Sequence, residues 1–253
     1  MSLKKHLLIA GLAFGAALQL TAEAPAYDPA VVKEYREISA PALAWPAQAL
    51  AIPITQEERE LDGYPARMLV GSLPEYRLLM DLGALRTPLQ FQPGGGAWSW
   101  QCTLPSYPDS RLRLAAYPVD KVARGDLLGT LFAHAKTVVT QAKDSYLVVI
   151  NGPMDGKVES TTFLSNPAQF FEYGFVDTPQ GGQLQRMVCD YITFNERYAF
   201  LIRVEAPAVH YEAFRTLAMG ALKPLYVEYP LDCRRVTPGE RAALLNEAKW
   251  LEE

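Results

Sequence analysis

Apolar residues recur at two different periods along this chain, and the switch between them predicts its elements. In RYAFLIRVEA, Tyr198, Phe200, Ile202 and Val204 fall at every second position and so share one face of a strand. Pro207 closes that strand. Phe214, Leu217, Ala218 and Ala221 then follow at i, i+3, i+4 and i+7, the stripe of a helix suited to cover the strand face just described. Upstream, FFEYGFVDTPQGGQLQRMVCDYITF reads as a hairpin turning at Thr178 to Gly182, and a short turn at Asn195 and Glu196 joins it to the next strand. SYLVVINGPMDGKVESTTFL predicts a further hairpin around Asn151 to Gly156. Between these regions the period changes: in DKVARGDLLGTLFAHAKTVVTQAK, Leu128, Leu131, Ala135, Val138 and Ala142 lie on one helical stripe.

From Gly63 onward, short apolar runs broken by Pro and Gly read as strands, with Pro93 to Gly96 as a loop. RLRLAAYPV alternates Leu112 and Leu114 with Arg111 and Arg113, which makes one face of that strand buried and the other wet. The Ala/Pro-rich stretch 23–62 is expected as an arm or linker, mostly extended because each Pro removes a donor. It holds one short helix, with Asp28 as N-cap and Pro29 at the first helical position. At the other end, TPGERAALLNEAKWLEE opens with Thr237, Pro238 and Glu240 in capping-box order, which predicts a C-terminal helix within 231–253. The fold class is therefore α+β: a twisted antiparallel meander layered with α-helices over 63–230, plus the C-terminal helix.

The N-terminus changes the picture of where this domain works. Lys4, Lys5 and His6 precede an apolar run from Leu7 to Leu20 and then small residues at Ala22, Ala24 and Ala26, the order of a secretory signal over 1–22, cut near Ala22 to Ala26. The run is short for a membrane span, which needs about 20 apolar residues. The expectation is an exported chain, periplasmic or secreted, with no membrane span once processed. Removing Lys4 and Lys5 leaves 22 basic against 28 acidic residues, a net of −6, which argues against a nucleic-acid or anionic-membrane surface. Cys102, Cys189 and Cys233 allow three pairings and at most one intramolecular bridge. Burial is the expected fate of Cys189, which sits in an alternating strand pattern.

Catalytic chemistry finds little support. The processed chain keeps His134 and His210, with no HExxH and no CxxC, so no metal site and no cofactor are expected. No Ser has a GxSxG context, and QPGGGAW lacks the Lys-Ser or Lys-Thr of a phosphate loop. WSWQC reads as a strand with two packed Trp rather than a nucleophile segment, and Arg111 and Arg113 as an ordinary wet strand face. No catalytic residue is assigned. Trp98, Trp100 and Tyr107 are the candidate ligand or partner surface, since flat aromatic side chains also stack on sugar rings.

The order from Ser145 to Leu222, two hairpins with YITFNERYAFLIRVEAP running into AVHYEAFRTL, resembles the C-terminal half of PsbP/Mog1-like domains, on Tyr198, Phe200, Ala206, Pro207 and Phe214. The resemblance implies a sheet layered with helices and a non-catalytic protein that binds or helps assemble a larger complex; no metal- or partner-binding residue carries over. The resulting expectation is an exported binding or accessory protein of the bacterial envelope with a protein partner there. The competing reading is a secreted hydrolase of glycans, using paired carboxylates.

Overall fold

A computed structural model describes residues 27–61, 64–74, 76–82, 90–122, 126–142, 146–155, 160–164, 166–178, 182–222 and 225–228. The signal segment, Cys233 and the C-terminal helix expected from the sequence lie outside the described residues. The described chain is α+β and antiparallel. Its elements are α1 (Pro29–Glu37), β1 (Ile54–Leu61), β2 (Tyr64–Ser72), β3 (Arg77–Asp81), β4 (Gln90–Pro93), β5 (Trp100–Leu104), β6 (Tyr107–Pro118), α2 (Val119–Val122), α3 (Leu127–Gln141), β7 (Tyr146–Asn151), β8 (Ser160–Phe163), β9 (Asn166–Val176), β10 (Leu184–Phe194), β11 (Tyr198–Pro207), α4 (Tyr211–Leu222) and β12 (Leu225–Glu228).

Two sheets result. The larger runs β4-β5-β6-β11-β10-β9-β7, and the smaller runs β1-β2-β3-β12. Alternation along the strands splits the interior into two main cores, one on each face of the large sheet. On one side Tyr198, Phe200, Ile202 and Val204 meet Phe214 and Ala218 of α4, as their spacing predicts, together with Leu69, Leu78 and Met80 of the small sheet. On the other side Leu201, Ile192 and Phe171 meet Leu131, Ala135 and Val139 of α3. Asp126 caps α3 by accepting from the amide of Gly129 at 2.7 Å, and the cap of α1 is the one expected: Asp28 accepts from Ala30 at 2.8 Å, with Pro29 in the first turn.

Two expectations are corrected. The described part of the stretch read as an arm, 27–61, belongs to the packed domain. Tyr35 and Leu43 are fully buried in the α3 core, and β1 pairs along its whole length with β2. Periodicity misses this because residues 38–53 form a strap whose contacts are made one residue at a time. The amide of Leu43 donates to the Ala133 carbonyl at 3.2 Å, Thr137 donates to the Leu43 carbonyl at 2.9 Å, and Lys136 donates to the carbonyls of Ile38 and Ala40 at 2.7 and 2.8 Å. Burying one side chain of the size of Leu43 stabilises by roughly 1.5–3 kcal/mol. The second correction concerns the hairpin expected around Asn151 to Gly156: β7 and β8 do not pair with each other. Both pair with β9, β7 against 172–176 and β8 against 166–169, so they lie in succession along one edge of it.

Candidate functional site

The three aromatic residues singled out in the sequence are not brought together. Trp100 is 3% exposed and packs into the α4 core, and Tyr107 lies on that same side, its ring 5.7 Å from His210 and 6.0 Å from Phe214. Trp100 is therefore removed from the candidate surface. Trp98 faces the α3 side and is half-buried. Two positions apart in a continuous strand, Trp98 and Trp100 would share a face. The strand begins only at Trp100, and the chain bends at Ser99, which sends Trp98 to the opposite side.

The glycines before it explain that bend. A Cβ on Gly94 would lie 2.2 Å from the Trp98 carbonyl oxygen, so only glycine lets the two backbone segments approach, and the Gly94 amide donates to the Ser99 carbonyl at 3.1 Å. Gly96 has a φ of 60° inside the turn closed by the Trp98 amide on the Gly95 carbonyl. Gly95 has open space around its Cβ position. The loop is pinned from both sides: the Ala49 amide donates to the Gly96 carbonyl at 2.8 Å, and the Tyr117 hydroxyl donates to the Ala97 carbonyl at 2.8 Å. Burial pushes the Tyr117 hydroxyl up to about 12, so it remains a donor.

Between this loop and the strap lies a groove of about 220 Å³, bordered by Gln48, Ile52, Pro53, Pro93, Gly95 and Trp98. Its lining among the described residues carries no charged side chain. Charge begins on the sheet side of the indole, where the guanidiniums of Arg113 and Arg203 sit 5.5 and 5.3 Å from its ring centre.

Behind the groove the strap is latched by a buried polar chain. Trp45 Nε1 donates to His134 Nδ1 at 2.8 Å, and His134 Nε2 lies 2.9 Å from Asp190 Oδ2. An indole N–H only donates, so Nδ1 accepts and the ring carries its proton on Nε2, which donates to Asp190. Arg203 grips the same carboxylate from two nitrogens at 2.6 and 2.8 Å, and Tyr173 adds a donor at 3.3 Å. Burial alone would raise the Asp190 carboxyl; the Arg203 guanidinium, helped by the His134 hydrogen bond, reverses this and holds it well below the usual carboxylate range. His134 is thus a structural latch, and its sequence gave no sign of Trp45, Asp190 or Arg203 as partners. His210 is exposed.

The other buried carboxylate, Glu172, pairs in register with Cys189, whereas Asp190 pairs with Phe171, so the two project to opposite faces of the sheet. Glu172 accepts from Tyr211 at 2.5 Å and pairs with Arg215 at 3.3 Å. A general acid and base must flank one bond from within the same cleft. These two are separated by the sheet and each is already neutralised by an arginine, so they do not form such a pair. Cys102 and Cys189 are free and buried, and burial pushes the Cys102 thiol up to about 12 and that of Cys189 higher, which suits packing rather than nucleophilic attack. Among the described residues no group of His, Cys, Asp and Glu is arranged to hold a metal, and no helix is long and apolar enough to cross a membrane.

No protein-family model matches the chain, and no curated protein matches its sequence. Among solved structures it is similar to the cyanobacterial PsbP (CyanoP) of Synechocystis sp. PCC 6803, at 15% identity and a TM-score of 0.42, over 61% of this chain and 87% of that one. It is also similar to LpqN of Mycobacterium tuberculosis, a protein involved in cell envelope biogenesis, at 12% identity and a TM-score of 0.40, over 70% of this chain and 92% of that one. The first is a PsbP protein, the group that the segment 145–222 resembles. The α+β architecture stated above rests on the sheets themselves.

Proposed function

We infer that this chain is an exported, non-catalytic binding or accessory protein of the bacterial envelope, and that it engages a protein partner through the groove beside Trp98. The observation that carries the reading is the half-buried indole at the mouth of a groove whose two walls are fixed by backbone hydrogen bonds. A preformed concave site with an aromatic anchor and few polar groups suits recognition, and Trp is over-represented among the residues that dominate protein interfaces. The leader pattern at 1–22 supports export to the periplasm or beyond. The two buried carboxylates, on opposite faces and each held by an arginine, give the hydrolase reading no support.

The test is in-cell crosslinking of the tagged full chain followed by affinity purification, with Gly95→Leu beside the parent. Gly95 borders the groove and a Cβ there meets open space, so a leucine adds bulk at the groove's edge without a clash in the loop. A stoichiometric partner captured by the parent and lost from the variant is the expected result. A partner retained in full by Gly95→Leu, at equal folded abundance, would contradict the assignment of the groove.

A further inference from the structure

The indole that borders the groove also borders a strip of arginines, and the register of three strands shows that the strip lies on one face. Arg113 pairs with Arg203 and Arg111 with Glu205 across β6 and β11, and Arg203 pairs with Asp190 across β11 and β10. Alternation adds Arg186 of β10 to the same side. Four guanidiniums thus stand among two carboxylates, Asp190 and Glu205, in a chain whose net charge is −4.

Their pairing is uneven. Asp190 is taken by Arg203, and Glu205 is shared between Arg113, at 3.1 Å, and Arg186. Arg186 also donates to the Asp109 carbonyl at 3.0 Å. Arg111, partly exposed, has no carboxylate partner among the described residues. The crowding has an electrostatic signature: burial lowers the Arg113 guanidinium, and although Glu205 opposes this, Arg203, Arg111 and Arg186 push in the same direction as burial. Arg113 makes one of its five N–H donations to Glu205, which leaves donors for an incoming acceptor.

We propose that this strip, anchored by Trp98, is the contact surface for an extended acidic segment of a partner protein, whose carboxylates pair with Arg111 and with the remaining N–H groups of Arg113 and Arg186. The proposal rests on the groove reading above and names the chemistry of the partner. Glu205 and Asp190 interrupt the positive charge. A uniform polyanion such as an anionic bilayer is repelled by them, whereas separate carboxylates on a peptide can each meet a guanidinium fork. Trp and Arg are also the residues that most often dominate protein interfaces.

The experiment places a photoreactive residue at Gln101, which pairs in register with Arg113, in the full chain expressed in cells, alone and combined with Arg111→Glu or Lys121→Glu. Arg111 is without an ion pair among the described residues but faces Glu205 in register, so yields are compared at equal folded abundance, and exposed Lys121 on α2 controls for the same change of charge elsewhere. Adducts on a partner segment rich in Asp and Glu are expected, with a yield about five-fold lower for Arg111→Glu and unchanged for Lys121→Glu. Adducts on a segment without carboxylates, capture of a second copy of this chain, or a yield indifferent to Arg111→Glu would each overturn the proposal. A parallel photoreactive residue at Gly95 separates the two readings. Capture at Gly95 with silence at Gln101 removes the arginine strip and leaves the groove standing; silence at both positions removes both.

Discussion

The two faces of the large sheet are built from the same strands and finished differently. The α4 face is closed by a helix and a second sheet, and its buried carboxylate, Glu172, sits in a compact cluster with Tyr211, Arg215 and Tyr191. The α3 face is closed by α1, α3 and a strap, and its polar chain runs from Trp45 through His134 and Asp190 to Arg203 and on to Trp98 and Arg113 near the surface. One face ends in a core. The other ends in a half-buried aromatic and arginine surface, and that difference locates the candidate site: buried polar groups that must be satisfied on the α3 side also fix the geometry of what is left exposed.

The largest way to break the comparison is to remove Arg203. Arg203→Met leaves the fully buried Asp190 without its ion pair, at a cost of about 3–5 kcal/mol in denaturant unfolding. A loss below about 1 kcal/mol, within the range of an exposed pair, would mean that the polar chain is incidental to the α3 face.

Acid should act through the same carboxylate. Asp190 is held below its ordinary range in the fold, so it stabilises the native state above the unfolded value of about 4, and this contribution is lost as pH falls below that value. Asp190→Asn should flatten the dependence of stability on pH in that acid range, measured by urea unfolding at a series of pH values. An unchanged slope would show that other carboxylates govern it.

Next come paired deletions, one on each face. Tyr211→Phe removes the hydroxyl donor of Glu172, leaving it Arg215, and Trp45→Phe leaves His134 Nδ1 without its indole donor, each expected to cost about 1–3 kcal/mol. They should differ in consequence: Trp45→Phe loosens the strap and weakens partner capture, while Tyr211→Phe lowers stability alone. Equal loss of capture would dissolve the functional contrast between the faces.

The smallest effects lie in the loop. Gly96→Ala forces a side chain onto a left-handed backbone at about 1–2 kcal/mol, whereas Gly95→Ala should fall within about 0.5 kcal/mol of the parent. Calorimetric melting of the two variants checks the difference.

Much of the scaffold was legible from periodicity. The face shared by Tyr198, Phe200, Ile202 and Val204 and the stripe of α4 follow directly from spacing, because each is a repeated, local demand for burial. What stayed hidden was made of single long-range contacts. The strap has no period, since Leu43 meets Thr137, Trp45 meets His134, and the carbonyls of Ile38 and Ala40 share Lys136. The shared edge of β9 was hidden for a related reason, because β7 and β8 are adjacent in sequence and never pair. The site was half legible. Trp98 was singled out for its aromatic surface, while its separation from Trp100 depends on a bend at Ser99 that alternation alone does not show. Arg111 and Arg113 read as a wet strand face; that Arg186 and Arg203 join them is a matter of register.

The most direct test of the account is hydrogen exchange by mass spectrometry on the full chain, free and bound to the partner recovered by crosslinking. The account predicts new protection at 48–53, 93–99 and 111–113, with little change at α4 and the small sheet. Protection confined to α4, β2 and β3 would contradict it and place the binding surface on the opposite side of the molecule.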